Sequence, residues 1–110
     1  MNSIQKTEIP VTESNVWFLE RYFSIFGFEE LFPADCFAAE GERGAPVIFR
    51  TDQNFAIETD IDRSKMQIRN RSRHRGWMRW TTAVALQPGD RIVIERLAER
   101  IYFLKKESSR

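Results

Sequence analysis

The chain has 110 residues, 42% of them apolar and 30% charged, with a formal net charge of +1. That length suits one domain, here expected to span residues 1–110 around a single core. The apolar content excludes a largely disordered chain, and no stretch nears the ~20 apolar residues of a membrane span. One cysteine, Cys36, excludes an internal disulfide, and the polar stretch Met1–Pro10 carries no secretory signal. A cytoplasmic protein, or a nuclear one in a eukaryote, is therefore expected.

In chain order, Ser3 to Val11 suits a strand closed by Pro10. The stretch from Trp17 to Phe32 is rich in aromatics, and Ser14 stands where a cap would for a helix over 16–25; a strand-and-loop reading fits equally well. Cys36 sits between Phe32 and Phe37 and is expected to be a buried structural thiol. Residues 39–46, with two glycines, a proline and three charges, predict an exposed loop. Strands follow at Pro46–Arg50 and Phe55–Thr59, joined by the turn Thr51–Asn54. The polar loop Asp60–Ser64 leads into Lys65–Arg69, whose alternation puts Met66 and Ile68 on one face and Lys65, Gln67 and Arg69 on the other. Trp77, Trp80 and Val84 recur at helical spacing within Gly76–Ala85, which favours core packing over base stacking, and the aromatics of 17–32 are expected in the core likewise. Leu86–Asp90 is a turn, and Arg91–Arg96 with Arg100–Lys105 form a β-hairpin.

The near-neutral net charge hides a strong segregation. Residues 1–62 hold four basic and twelve acidic side chains, residues 63–79 hold seven basic and no acidic ones, and residues 80–110 hold six and four. An acid-free basic segment implies a polyanionic partner met by one face. Arg69, Arg71 and Arg73 recur at every second position, which on an extended chain aims three guanidiniums to one side. Arg63 and Lys65 flank a turn, and Gln67 suits an adenine edge.

Catalytic chemistry finds little support. His74 is the only histidine and lies between Arg73 and Arg75, and the five glycines are scattered. Glu58, Asp60 and Asp62 with Lys65 faintly suggest a metal-dependent nuclease, but the acid-x-lysine spacing is absent. A solvated strand face and turn is the expected role of these acids. The chain is therefore expected to be non-catalytic, with no cofactor and no metal.

The run Gly76-Trp77-Met78-Arg79-Trp80, followed after five residues by Leu86-Gln87-Pro88-Gly89-Asp90 and then Ile92 and Ile94, resembles the DNA-binding pseudobarrel called the B-three domain. Plant transcription factors and the effector domains of some restriction endonucleases carry it. Thr12–Val16 is similar to the opening of that family's N-terminal arm, and Phe32-Pro33 falls near the end of its second strand. The match is strong over about 20 residues, with Trp80 in place of the usual Phe, while the stretch 17–28 is richer in aromatics than the plant pattern. The resemblance implies a mainly β fold with short helices, a seven-stranded open pseudobarrel whose two arms clasp the DNA major groove. The N-arm would fall at Thr12–Arg21 and the C-arm at Asp60–Arg69, on the start of the basic segment.

The expected function is sequence-specific recognition of double-stranded DNA, in transcription regulation or as the recognition module of a restriction-modification enzyme. Arg63, Ser64, Lys65 and Gln67 would serve the C-arm, with Arg63, Lys65 and Gln67 on base edges. Arg69, Arg71, Arg73 and Arg79 would hold phosphates, and Ser14, Asn15 and Arg21 would supply N-arm contacts. The alternatives are an RNA or single-strand binder, or a protein-interaction module with a basic face.

Overall fold

A computed structural model describes residues 5–19, 23–70 and 76–108 of the chain. The described residues are mainly β, with one α-helix and nine strands in two sheets. The larger sheet joins β1 (Lys6–Pro10), β8 (Arg91–Ala98), β9 (Ile101–Glu107), β4 (Val47–Thr51) and β5 (Ala56–Thr59), in that order. The smaller joins β2 (Phe23–Ser24), β7 (Gln67–Ile68), β6 (Ile61–Asp62) and β3 (Phe37–Ala38). Pairing is antiparallel except between β4 and β9 and between β3 and β6. The expected count of seven strands is therefore too low. Four of the nine strands are two-residue pieces; the alternation over 65–69 marks β7, and the small sheet forms where β2, β3, β6 and β7 meet one another.

The C-terminal hairpin forms as its β-branched pattern predicts. Arg91 pairs with Glu107 and Arg96 with Tyr102, with a bulge between Arg96 and Ala98. Its Leu-x-x-Gly-Asp entry has a clear mechanism. Gly89 takes φ +98, a conformation that any other L-residue would strain to adopt. The buried Asp90 carboxylate accepts the Gln87 backbone N–H at 2.9 Å, and Lys106 Nζ stands 3.7 Å away. The same lysine donates to the carbonyl of Val84 at 2.8 Å and so caps the helix that precedes the turn.

That helix, α1 (Gly76–Val84), lies where its spacing places it. A Cβ on Gly76 would come within 3.0 Å of the Ile57 side chain, so the glycine lets the helix start seat against β5. Trp77 and Trp80 are fully buried, and each indole N–H has a partner. Trp77 Nε1 donates to the Leu19 carbonyl at 3.0 Å, and Trp80 Nε1 donates to the Asp52 carboxylate at 2.8 Å. Around them Phe23, Phe32, Phe49 and Tyr102 complete an aromatic core. Ring centroids are 4.4 Å apart for Phe23 and Trp77 and 5.3 Å for Phe49 and Tyr102. Cys36 is buried there, as expected, and burial pushes its thiol up to about 12.

The N-terminal aromatic stretch departs from the helical expectation. Residues 13–19 form successive turns, and Phe23–Ser24 is a strand. Phe23 and Ile25 are buried while Ser24 and Phe26 are exposed, a period of two that no helix can satisfy. Thr12 and Asn15 reinforce the turn reciprocally. The Thr12 N–H donates to Asn15 Oδ1 at 2.8 Å, and the Asn15 N–H donates to Thr12 Oγ1 at 3.2 Å. No helix among the described residues is long and apolar enough to cross a membrane.

Candidate nucleic-acid interface

The chain leaves the larger sheet at Thr59 and enters the smaller one at Ile61, so Asp60 sits at the crossing and is buried. This corrects its expected role as a solvated strand-face acid. Its carboxylate accepts Arg69 Nη1 at 3.1 Å and the Gly44 N–H at 2.7 Å. Arg69 turns inward and spends its remaining donors on main-chain carbonyls: Glu42 at 2.7 Å, and Ala38 and Ala39 at 2.9 Å each. The side chain of Arg69 is 11% exposed. Its guanidinium therefore ties the loop at 38–44 to the base of the next hairpin.

That hairpin is β6–β7, closed by the turn at 63–66. Asp62 builds the turn. One carboxylate oxygen accepts the Ser64 N–H at 2.9 Å, the Ser64 hydroxyl at 2.7 Å and the Lys65 N–H at 3.1 Å. The hydroxyl bond, helped by the two backbone donors, lowers the Asp62 carboxyl below its usual range. Met66 completes the reversal in a left-handed conformation, φ 52. Arg63, Ser64 and Lys65 are thereby displayed, all exposed. Among the described residues neither cation of this turn has an acidic side chain in salt-bridge range.

Pairing extends the display sideways. Ser24 lies opposite Gln67, and Gln67 lies opposite Asp62. These three share the outer face of the small sheet, while Phe23, Ile68 and Ile61 form its buried face. Ile25 N–H donates to the Met66 carbonyl at 2.9 Å, so the segment that follows β2 runs alongside the turn. The two expected arms are thus attached to neighbouring strands. Within the first arm Ser14 is exposed. Asn15 is half-buried, and its amide is occupied by the Pro10 carbonyl at 3.0 Å and by the Thr12 turn. Trp77 pins the same loop through Leu19.

The remaining expected residues divide. Arg79 is exposed on α1 with its guanidinium 4.0 Å over the Phe55 ring, anchored beside the larger sheet. Arg21, Arg71 and Arg73 lie outside the described residues. Two aromatics of the 17–32 stretch, expected in the core, are exposed instead: Trp17 at 72% and Phe26 at 69%. The signal for Phe26 is the in–out alternation from Phe23 onward, which a helical reading of the stretch conceals.

The arrangement can bring two cations, a hydroxyl and an amide to a polyanion on one presented edge. No protein-family model matches this chain, and no curated protein or solved structure is significantly similar to it.

Proposed function

We propose that this chain is a non-catalytic module that binds double-stranded DNA, with the outer face of the small sheet and the 63–66 turn directed into the major groove. The observation that carries this reading is the turn itself. The Asp62 carboxylate builds the turn that displays Arg63 and Lys65, neither of which has an acidic side chain in salt-bridge range among the described residues, on the sheet whose outer face offers Ser24 and Gln67. Arginine and lysine on such a tip suit phosphates and guanine edges, and Gln67 suits an adenine edge. The resemblance of Gly76–Asp90 to the B-three domain supports the same assignment. In that reading the two mixed sheets are an open pseudobarrel, residues 12–21 are the N-arm and residues 60–69 are the C-arm. Such a module serves a transcription regulator or a restriction endonuclease equally well.

The test is duplex affinity against salt, with single-stranded DNA and RNA as competitors. Four to six phosphate contacts give a log–log slope of about −4 to −5. Arg63→Ala with Lys65→Ala is expected to flatten the slope by about two contacts' worth and relax sequence preference. A double variant with unchanged slope and preference would remove the turn from the interface. Preference for single strands would move the assignment to an RNA or single-strand binder.

A further inference from the structure

Phe26 has no role in the core, yet its position is tightly defined. It follows Ser24 by two residues, just past the end of β2, with its side chain exposed, and the Ile25–Met66 bond carries its backbone alongside the turn that bears Lys65. Three bonds fix its backbone. The Phe26 N–H donates to Ser24 Oγ at 3.2 Å, the Gly27 N–H donates to Glu29 Oε1 at 2.7 Å, and the Phe28 N–H donates to the Ile25 carbonyl at 3.1 Å. A single exposed aromatic is common on protein surfaces. One held on an ordered turn, on the segment whose backbone is bonded to the turn that displays Arg63 and Lys65, is matched to a ligand with both charge and apolar surface.

A phenyl ring cannot donate or accept at a base edge. The apolar group that base edges offer in the major groove is the C5-methyl of a pyrimidine. We propose that Phe26 is a specificity-determining contact for a 5-methylpyrimidine, placed beside the bases or phosphates met by Arg63 and Lys65. This rests on the duplex-binding reading above. Thymine and 5-methylcytosine present the same methyl group, and the two are separable by synthesis.

A preferred duplex is first selected from a random pool with the wild-type chain, and its unmodified form is titrated. It is then remade with deoxyuridine at each thymine in turn, and separately with 5-methylcytosine at each cytosine. Phe26→Ala and Phe26→Leu are measured on every duplex, with thermal melting as the control for folding. If thymine is the target, one thymine-to-uracil change weakens wild-type binding about fourfold, the worth of one buried methyl group, and leaves Phe26→Ala unaffected. If 5-methylcytosine is the target, one methylation strengthens wild-type binding by a similar factor, again without effect on Phe26→Ala. Phe26→Leu retains part of either response. Equal responses in wild type and Phe26→Ala, or no response in wild type, would overturn the assignment while leaving duplex binding intact. Failure of the wild type to bind any unmodified duplex would overturn the underlying reading, and this assignment with it.

Discussion

At the scale of single residues, the basic segment contains arginines of two kinds. Arg69 is buried with Asp60 and holds three carbonyls, so its loss strands a carboxylate at the crossing between the sheets. Arg69→Met is expected to lower unfolding stability by about 3–5 kcal/mol. Arg63→Ala, on an exposed turn, should stay within about 0.5 kcal/mol. Urea unfolding of the two variants checks the contrast. A second expectation concerns alkaline pH. Burial raises the Cys36 thiol from 9.0 to about 12 and the Tyr102 phenol from 10.0 to about 12. Below pH 9 both groups are neutral, folded or unfolded. Above it they ionise first in the unfolded chain, so stability falls as pH rises from about 9 towards 12. A urea midpoint that stays flat across that window would contradict the burial of both groups. The inward role of Arg69 was not legible beforehand: it meets carbonyls some thirty residues away, and a period-two pattern says which face a side chain starts from, not whether the chain turns after it.

At the scale of elements, two local devices shape the proposed interface. The Asp62 turn depends on an acceptor at one position, and asparagine supplies that acceptor without the charge. Asp62→Asn is expected to bind duplex DNA at least as tightly as wild type, because a carboxylate near phosphates is removed while the turn survives. Asp62→Ala should bind more weakly than Asp62→Asn. The reverse order would mean that the charge matters and the turn does not. The second device is Trp77, whose indole holds the Leu19 carbonyl. Trp77→Phe keeps an aromatic ring but leaves that carbonyl without its donor, at an expected loss of about 1–3 kcal/mol. Limited proteolysis should then cut more readily within residues 11–22. The Gly-Asp turn was legible because it acts within a few residues, whereas the partners of Gly76 and Trp77, Ile57 and Leu19, lie far off in the chain. Helix α1 and the β8–β9 hairpin followed from the same short-range rules, whereas β2 was hidden inside an aromatic run that fits two periods.

At the scale of the whole molecule, the architecture is dominated by pairings between distant segments. β1 lies against β8, and β4 lies parallel to β9, with Ile48 opposite Ile101. Loop closure precedes any gain from such contacts, so folding is expected in milliseconds to seconds, as for other small β-rich domains. Stopped-flow refolding in the microsecond range would be inconsistent with this topology. The Cα radius of gyration is 13.2 Å, close to the ~13 Å of a compact domain of about 100 residues. Charge acts at this scale as well. The net charge of −8 in residues 1–62 and the +7 of residues 63–79 nearly cancel. On the proposed function, binding of duplex DNA should weaken steeply with salt despite the small net charge of the whole chain.

The sequence by itself determined the mainly β class, the positions of α1 and the C-terminal hairpin, the turn at Gly89-Asp90 and the concentration of positive charge in one segment. Each of these depends on neighbours in the chain, on backbone conformation or on simple counting. Tertiary structure alone decided that Arg69 faces inward, that Asp60 is buried, that Asn15 serves its own loop and that the chain at Ile25 runs beside the turn at Met66. The reason is physical. A side chain's final partner depends on which strands become neighbours, and the sheet order β2-β7-β6-β3 is written in pairings between remote residues that no local pattern encodes.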